Sequence, residues 1–226
     1  MSSRVSVVIP ALNEAESIGS VVQSMPWGEI AECIVVDNGS TDGTGDVART
    51  AGAKVVSSPR GYGAACAAGA KAALESSDVL VFLDGDGSDD VAAMQRLVGP
   101  IERGEADFVI GSRMRGNAEP GSLNGAQVFA ARMIGALVRM LYGFRYTDMG
   151  PFRAIRRECL ETMQMREMTY GWNLEMQIKA VSMGLRVVEI PVDYRCRIAG
   201  ESKVSGNAWG SVKAGARILG VLARVR

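Results

Sequence analysis

Five short apolar runs recur through the first half of the chain, and none of them alternates with polar residues. They are Val5–Ile9, Cys33–Val36, Val55–Val56, Val79–Leu83 and Phe108–Ile110. Near-continuous, β-branched runs of this kind suit strands buried on both faces, the situation of a parallel sheet covered by helices on each side. Helix-like segments at 15–24, 43–51, 63–76 and 90–103 separate them. The fold class expected is therefore α/β, a mostly parallel central sheet flanked by helices. At 226 residues, 47% of them hydrophobic, the chain suits one domain with a substantial core.

The segments just after three of these runs are polar. Pro10-Ala11-Leu12-Asn13-Glu14 comes after the first run, Asp37-Asn38-Gly39-Ser40-Thr41-Asp42 after the second and Asp84-Gly85-Asp86 after the fourth. In an open parallel sheet these motifs fall at the carboxyl edge, where ligands bind. One glycine separates Asp84 from Asp86, so both can reach a single hard divalent cation, which in turn neutralises phosphates. Asp37 suits a hydrogen bond to a base or ribose, and the turn at Gly39 can offer backbone N–H groups. Each motif also has a structural reading: Asn13 as a helix cap, the Asp37–Asp42 stretch as turn and cap chemistry. A calcium loop fits poorly, because the turn glycine is missing and Gln95 stands at its last position. The Gly61-Tyr62-Gly63 element is a weak dinucleotide signal, since it comes after the third run and Cys66 replaces the last small residue. A tight start to a helix explains it better.

The second half reads differently. A loop over Gly116–Gly125 leads to an arginine-punctuated apolar helix over 126–142. A helix over 172–183, a strand over Leu185–Tyr194 and a basic amphipathic helix from about 207 complete the chain. Residues 112–226 look like a substrate-specific elaboration of the same single domain, which spans 1–226. The formal net charge is zero, yet residues 120–147 hold Arg132, Arg139 and Arg145 and no acid. Residues 202–226 hold Lys203, Lys213, Arg217, Arg224 and Arg226 and no acid. That asymmetry points to an anionic partner for the later segments; nothing points to nucleic acid. Histidine is absent, so any proton transfer falls to carboxylates or is not needed. The four cysteines show no paired spacing and no signal peptide is evident, which leads us to expect reduced thiols in the cytoplasm. No stretch approaches the roughly 20 apolar residues of a membrane span. The terminal segment places Trp209, Val212, Ala216, Leu219 and Ala223 at helical spacing. That suits either a helix on anionic lipid, on the cytoplasmic face, or one packed on the domain or on a second copy. Helix 126–142 carries the same two readings.

Taken in order, Val7–Glu14, Asp37–Asp42, Asp84–Asp86, Gly111-Ser112-Arg113, Thr147-Asp148 with Phe152-Arg153-Ala154, Glu175 and Arg197–Lys203 resemble the family 2, GT-A-type glycosyltransferases. The branch is that of the polyprenol-phosphate mannosyl- and glucosyl-synthases, and the resemblance covers nearly the whole chain. It implies a GT-A fold, with a nucleotide-binding half at 1–111 and an acceptor-binding half at 112–226, and an inverting transfer of hexose from a UDP- or GDP-sugar to a polyprenyl phosphate. The implied nucleotide-sugar residues are Pro10, Leu12, Asn13, Glu14, Asp37, Asn38, Gly39, Asp42, Gly63 and Gly85, with Mg²⁺ or Mn²⁺ on Asp84 and Asp86. Arg113, Arg132, Arg197, Ser202 and Lys203 would face the acceptor or donor phosphates. A lipid phosphate is already an anion and needs no base; a hydroxyl acceptor would need one, and Asp148 and Glu175 are then the candidates. The chain departs from the branch at Ser88-Asp89-Asp90, where an amide residue and a proline are usual, and at Gly150-Pro151 before Phe152. A nucleotidyltransferase is disfavoured because the loop after the first strand is neither glycine-rich nor basic. A non-catalytic sugar-nucleotide sensor is disfavoured by the intact aspartate pair.

Overall fold

The structure, a computed structural model, describes residues 4–199. Its strands are β1 (Val5–Ala11), β2 (Glu32–Asp37), β3 (Lys54–Ser57), β4 (Val79–Phe82), β5 (Phe108–Ser112), β6 (Arg153–Arg156) and β7 (Val187–Pro191). They form one sheet in the order β3-β2-β1-β4-β6-β5-β7. The helices are α1 (Ala15–Gln23), α2 (Thr44–Thr50), α3 (Tyr62–Ala72), α4 (Met94–Glu102), α5 (Gly125–Tyr142), α6 (Arg157–Met163) and α7 (Trp172–Ser182). The α/β expectation holds, and the physical reason is visible in the first strands. Val7, Ile9, Val35 and Val81 pack with residues of α1, α2 and α4. Their neighbours Val8, Ile34, Val36, Leu80 and Phe82 pack with α3, α5 and α7. Both faces are apolar because both are covered. The fit of α3 is close: a Cβ on Gly69 would sit 2.2 Å from Val8 Cγ1, so only glycine lets the helix approach the sheet there.

β6 and α6 were not expected from the sequence. Arg153 opens a strand lying between β4 and β5 and is fully buried, against the rule that charge faces water. Its guanidinium donates to the carbonyls of Gly150, Pro151 and Asn173 and lies 5.9 Å from the Phe108 ring centre. Burial holds its pKa below the usual arginine value. β6 is antiparallel to both neighbours, whereas β1, β2, β3 and β4, and β5 with β7, pair in parallel. That reversal decides the position of the site. The strand start at Arg153 lies opposite Phe82 at the end of β4, so the segment leading into β6 arrives at the same edge as the ends of β1, β2, β4 and β5.

The strand expected over Leu185–Tyr194 is shorter, and Tyr194 instead bridges both Asp89 and Ala118. All four cysteines are free. Among the described residues no helix is long and apolar enough to cross a membrane. Ser202, Lys203 and the helix expected from about 207 lie outside the described residues.

Candidate active site

The loops after β1 and β2 are stitched together, and several expected ligand residues are the stitches. Asn13, at a positive φ of 51°, accepts the Thr41 N–H at 2.9 Å and donates its own N–H to the Ser40 hydroxyl at 3.0 Å. Asp42 accepts from the Ala15 N–H, the Thr44 N–H and the Thr44 hydroxyl at 3.0, 3.0 and 2.5 Å. These bonds outweigh partial burial and hold its carboxyl below the usual range. The Glu14 N–H meets Thr44 Oγ1 at 2.8 Å. Asp37 ends β2 and closes a turn by accepting the Ser40 N–H at 2.8 Å, with Gly39 at φ 84°. Pro10 is buried within β1 and Leu12 is half-buried beyond it.

Asn38 and Gly63 both hold the start of α3. The Asn38 amide both donates to Gly61 O and accepts the Gly61 N–H, each at 2.9 Å, so it clamps the start of α3. The Gly63 N–H donates to Thr169 O at 3.2 Å, and the Ala64 N–H to Met168 O at 2.9 Å. A Cβ at position 63 would lie 2.2 Å from Glu167 O. The start of α3 is thus covered by the 167–169 backbone, and that close approach requires glycine at 63.

Asp84 and Asp86 stand on the turn after β4. Asp86 is 5% exposed; its Oδ1 accepts from the Ser88 N–H at 3.0 Å and the Ser88 hydroxyl at 2.6 Å. Its Oδ2 pairs with Arg197 Nη2 at 2.9 Å, so the structure places Arg197 on the aspartate pair itself. Among the described residues, Arg197 Nη1 is buried without a partner. Half-buried Asp84 has its carboxyl pushed well up by burial and by the nearby Asp89 and Asp86 carboxylates. Asp89 Oδ2 accepts the Asp84 N–H at 3.0 Å, and its Oδ1 is buried with no partner among the described residues. Burial and Asp86 push Asp89 to about 7, against the pull of the Asp84 N–H and Arg113. This crowding of hard oxygens, one of them orphaned, fits a divalent cation. Among the described residues no three His, Cys, Asp or Glu side chains are grouped so that they could hold a metal ion between them. A cation on Asp84 and Asp86 would therefore complete its shell with phosphate oxygens and water, as Mg²⁺ and Mn²⁺ do.

Arg113 comes just after β5 and meets Asp148 from the segment before β6. Asp148 is 1% exposed. Burial alone would raise its carboxyl, but the Arg113 guanidinium and backbone N–H hold it below the usual range. Arg113 is raised in turn, the Asp148 bond outweighing burial. The Asp148 segment is fixed from two sides. Glu189 on β7 accepts the Thr147 N–H at 2.9 Å and the Asp148 N–H at 3.3 Å, and Gln177 on α7 donates to Asp148 O at 2.8 Å.

Glu175 is not in a position to act as a base. It is 4% exposed, accepts the Arg166 N–H at 3.0 Å and the Glu167 N–H at 2.7 Å, and pairs with Lys179 at 2.8 Å. It holds the 166–167 turn, the same stretch whose neighbours cover α3. Arg132 lies on the exposed face of α5 and makes no ion pair among the described residues. Sequence reasoning missed Asp89 as a contributor, and missed Gln177, Glu189 and Tyr194 altogether. Asp89 had a signal, being a third carboxylate on the same turn; the others act on partners distant in sequence.

Three comparisons bear on this geometry. Residues 6–163 match the family profile described as Glycosyl transferase family 2. An uncharacterized glycosyltransferase of Mycobacterium tuberculosis is 39% identical, over 92% of this chain and 93% of its own length. The undecaprenyl-phosphate mannosyltransferase of Micrococcus luteus is 33% identical, over 98% and 96%. Among solved structures, glucosyl-3-phosphoglycerate synthase from Mycobacterium tuberculosis, in complex with Mn²⁺ and UDP-glucose, superposes with a TM-score of 0.75. It is 26% identical and the match covers 97% of this chain and 79% of that one.

Proposed function

The chain belongs to glycosyl transferase family 2 and has the GT-A fold, and from that premise we propose that it transfers a hexose from a UDP- or GDP-sugar to a polyprenyl phosphate with inversion. Asp37 and Glu14 bind the nucleoside side, and Asp84 with Asp86 carries Mg²⁺ or Mn²⁺. When bound, the metal neutralises charge developing on the departing diphosphate. Arg113, locked by Asp148, adds fixed positive charge at the same edge without reorganisation during the reaction. Arg197, with a donor unpartnered among the described residues, supplies the second guanidinium for a phosphate.

The observation that carries the acceptor assignment is that both candidate bases are already engaged. Asp148 is spent on Arg113, and Glu175 on backbone N–H groups and Lys179. A hydroxyl acceptor would have to lose a proton to some group; a phosphate anion need only be placed. The outer face of α5 supports the same reading. Phe129, Met133 and Met140 are 68%, 49% and 74% exposed at helical spacing, beside Arg132 and Arg139, and residues 120–147 contain no acid. Apolar residues flanked by arginine suit peripheral contact with an anionic lipid surface.

Thermal unfolding with a panel of UDP- and GDP-sugars plus Mn²⁺ tests the donor half of the proposal. A ligand at 100 times its dissociation constant adds about 2.7 kcal/mol to stability, and the correct donor should stand out with metal and lose that gain with EDTA.

A further inference from the structure

We propose that Tyr194 is a positioning residue that ties the turn carrying Asp84 and Asp86 to Arg113, so that metal site and phosphate-facing arginine are set as one unit. The inference rests on the metal assignment made under the proposed function and adds a residue to it.

Tyr194 is 9% exposed and lies beyond the end of β7, yet its backbone is fixed on both sides. It forms an antiparallel bridge with Asp89 and a parallel one with Ala118. Its N–H donates to Asn117 O at 3.0 Å, and its carbonyl accepts the Glu119 N–H at 2.8 Å. The next residue, Arg195, donates its N–H to Ser88 O at 2.9 Å. The turn held this way carries Ser88, whose hydroxyl donates to Asp86 Oδ1 at 2.6 Å. The Tyr194 ring then supports the Arg113 guanidinium, 4.8 Å from the ring centre, on a side chain whose Nε and Nη2 are already taken by Asp148.

These contacts divide by chemistry. The ring attracts a cation through its quadrupole and fixes the plane of Arg113. The backbone bridge to Asp89 acts one shell out from the metal carboxylates, where partners orient ligands. The bridge survives a change of side chain, so Phe and Leu isolate the ring: Phe keeps it and Leu loses it.

The experiment uses the full chain. Mn²⁺ alone is titrated and its free concentration followed by EPR, for wild type, Tyr194→Phe and Tyr194→Leu, alongside turnover at saturating Mn²⁺ and thermal unfolding. We expect Tyr194→Phe to match wild type in Mn²⁺ binding and turnover. Tyr194→Leu should keep Mn²⁺ binding, because the backbone bridge remains, and turn over about fivefold or more below Tyr194→Phe, from the lost cation–π support. Equal turnover for Phe and Leu would overturn the ring's role. Loss of Mn²⁺ binding in a folded Tyr194→Leu would overturn the division between backbone and ring. A wild type that binds no Mn²⁺ would remove the metal assignment itself, and this inference with it.

Discussion

Asp148 grips Arg113 with both carboxylate oxygens, 2.8 Å to Nε and 2.8 Å to Nη2, and also accepts the Arg113 backbone N–H at 2.9 Å. A bidentate fork of this kind fixes direction as well as distance. Asp148 is thereby an anchor. Asp148→Asn should leave a buried guanidinium without its counter-charge and cost about 3–5 kcal/mol of stability. Turnover should fall through Arg113. In a double-mutant cycle, Arg113→Gln with Asp148→Asn should be scarcely worse than Arg113→Gln alone. Additive losses would mean that Asp148 has a separate chemical role.

Glu175→Gln should separate stability from chemistry. The amide keeps one oxygen for the backbone N–H groups of Arg166 and Glu167 but loses the charge that pairs with Lys179. Denaturant unfolding should show a loss of about 1–3 kcal/mol, with turnover at saturating substrates retained. Loss of turnover in a fully folded variant would restore Glu175 as a base.

Asp37 sits one loop away from the aspartate pair and should contribute to donor affinity. Asp37→Ala is expected to raise the sugar-nucleotide KM more than it lowers kcat. Equal falls in kcat and kcat/KM would instead place it in the transition state.

The parts of this architecture that could be read from the chain are those whose cause is local. β1, β2 and β4 announce themselves because both faces are buried, so their runs are nearly continuous, with Ser6 the one polar residue within them. Asp84 and Asp86 are legible because a strand end and one glycine fix their relation. β6 was not legible because Arg153, a central-strand residue, is satisfied by the carbonyls of Gly150, Pro151 and Asn173, and Asn173 comes from α7. Tyr194 reads as an ordinary strand residue until its partners Asp89 and Arg113, each some eighty or more positions earlier, are in place. Gly63 shows the limit in the other direction: its type predicts a close approach, but only the fold shows that the neighbour is Glu167 O.

Asp107 gives a pH signature remote from the site. It binds the Arg186 Nε, Nη2 and backbone N–H at 2.9, 2.6 and 3.0 Å and Arg156 at 3.3 Å. Those bonds, led by the Arg186 side chain, outweigh burial and lower its carboxyl from 3.8 to about 2. A folded-state pKa below the unfolded value stabilises above the unfolded value, and that contribution is lost as pH falls through the folded one. Arg186 is half-exposed, so screening reduces the effect to about 1 kcal/mol. The stability gap between wild type and Asp107→Asn should be full at pH 5 and above, shrink below about pH 4, and be largely gone near pH 2. A gap independent of pH would contradict it.

The most direct test of the whole account is transfer of labelled hexose, from the donor that stabilises the protein with Mn²⁺, into an organic-extractable polyprenyl phosphate. The account predicts a lipid-linked hexose of inverted anomeric configuration, its formation abolished by EDTA and by Asp86→Ala with the fold intact. Transfer to a simple hydroxyl acceptor with no polyprenyl product across the full sugar-nucleotide panel, or undiminished transfer by Asp86→Ala in EDTA, would contradict it.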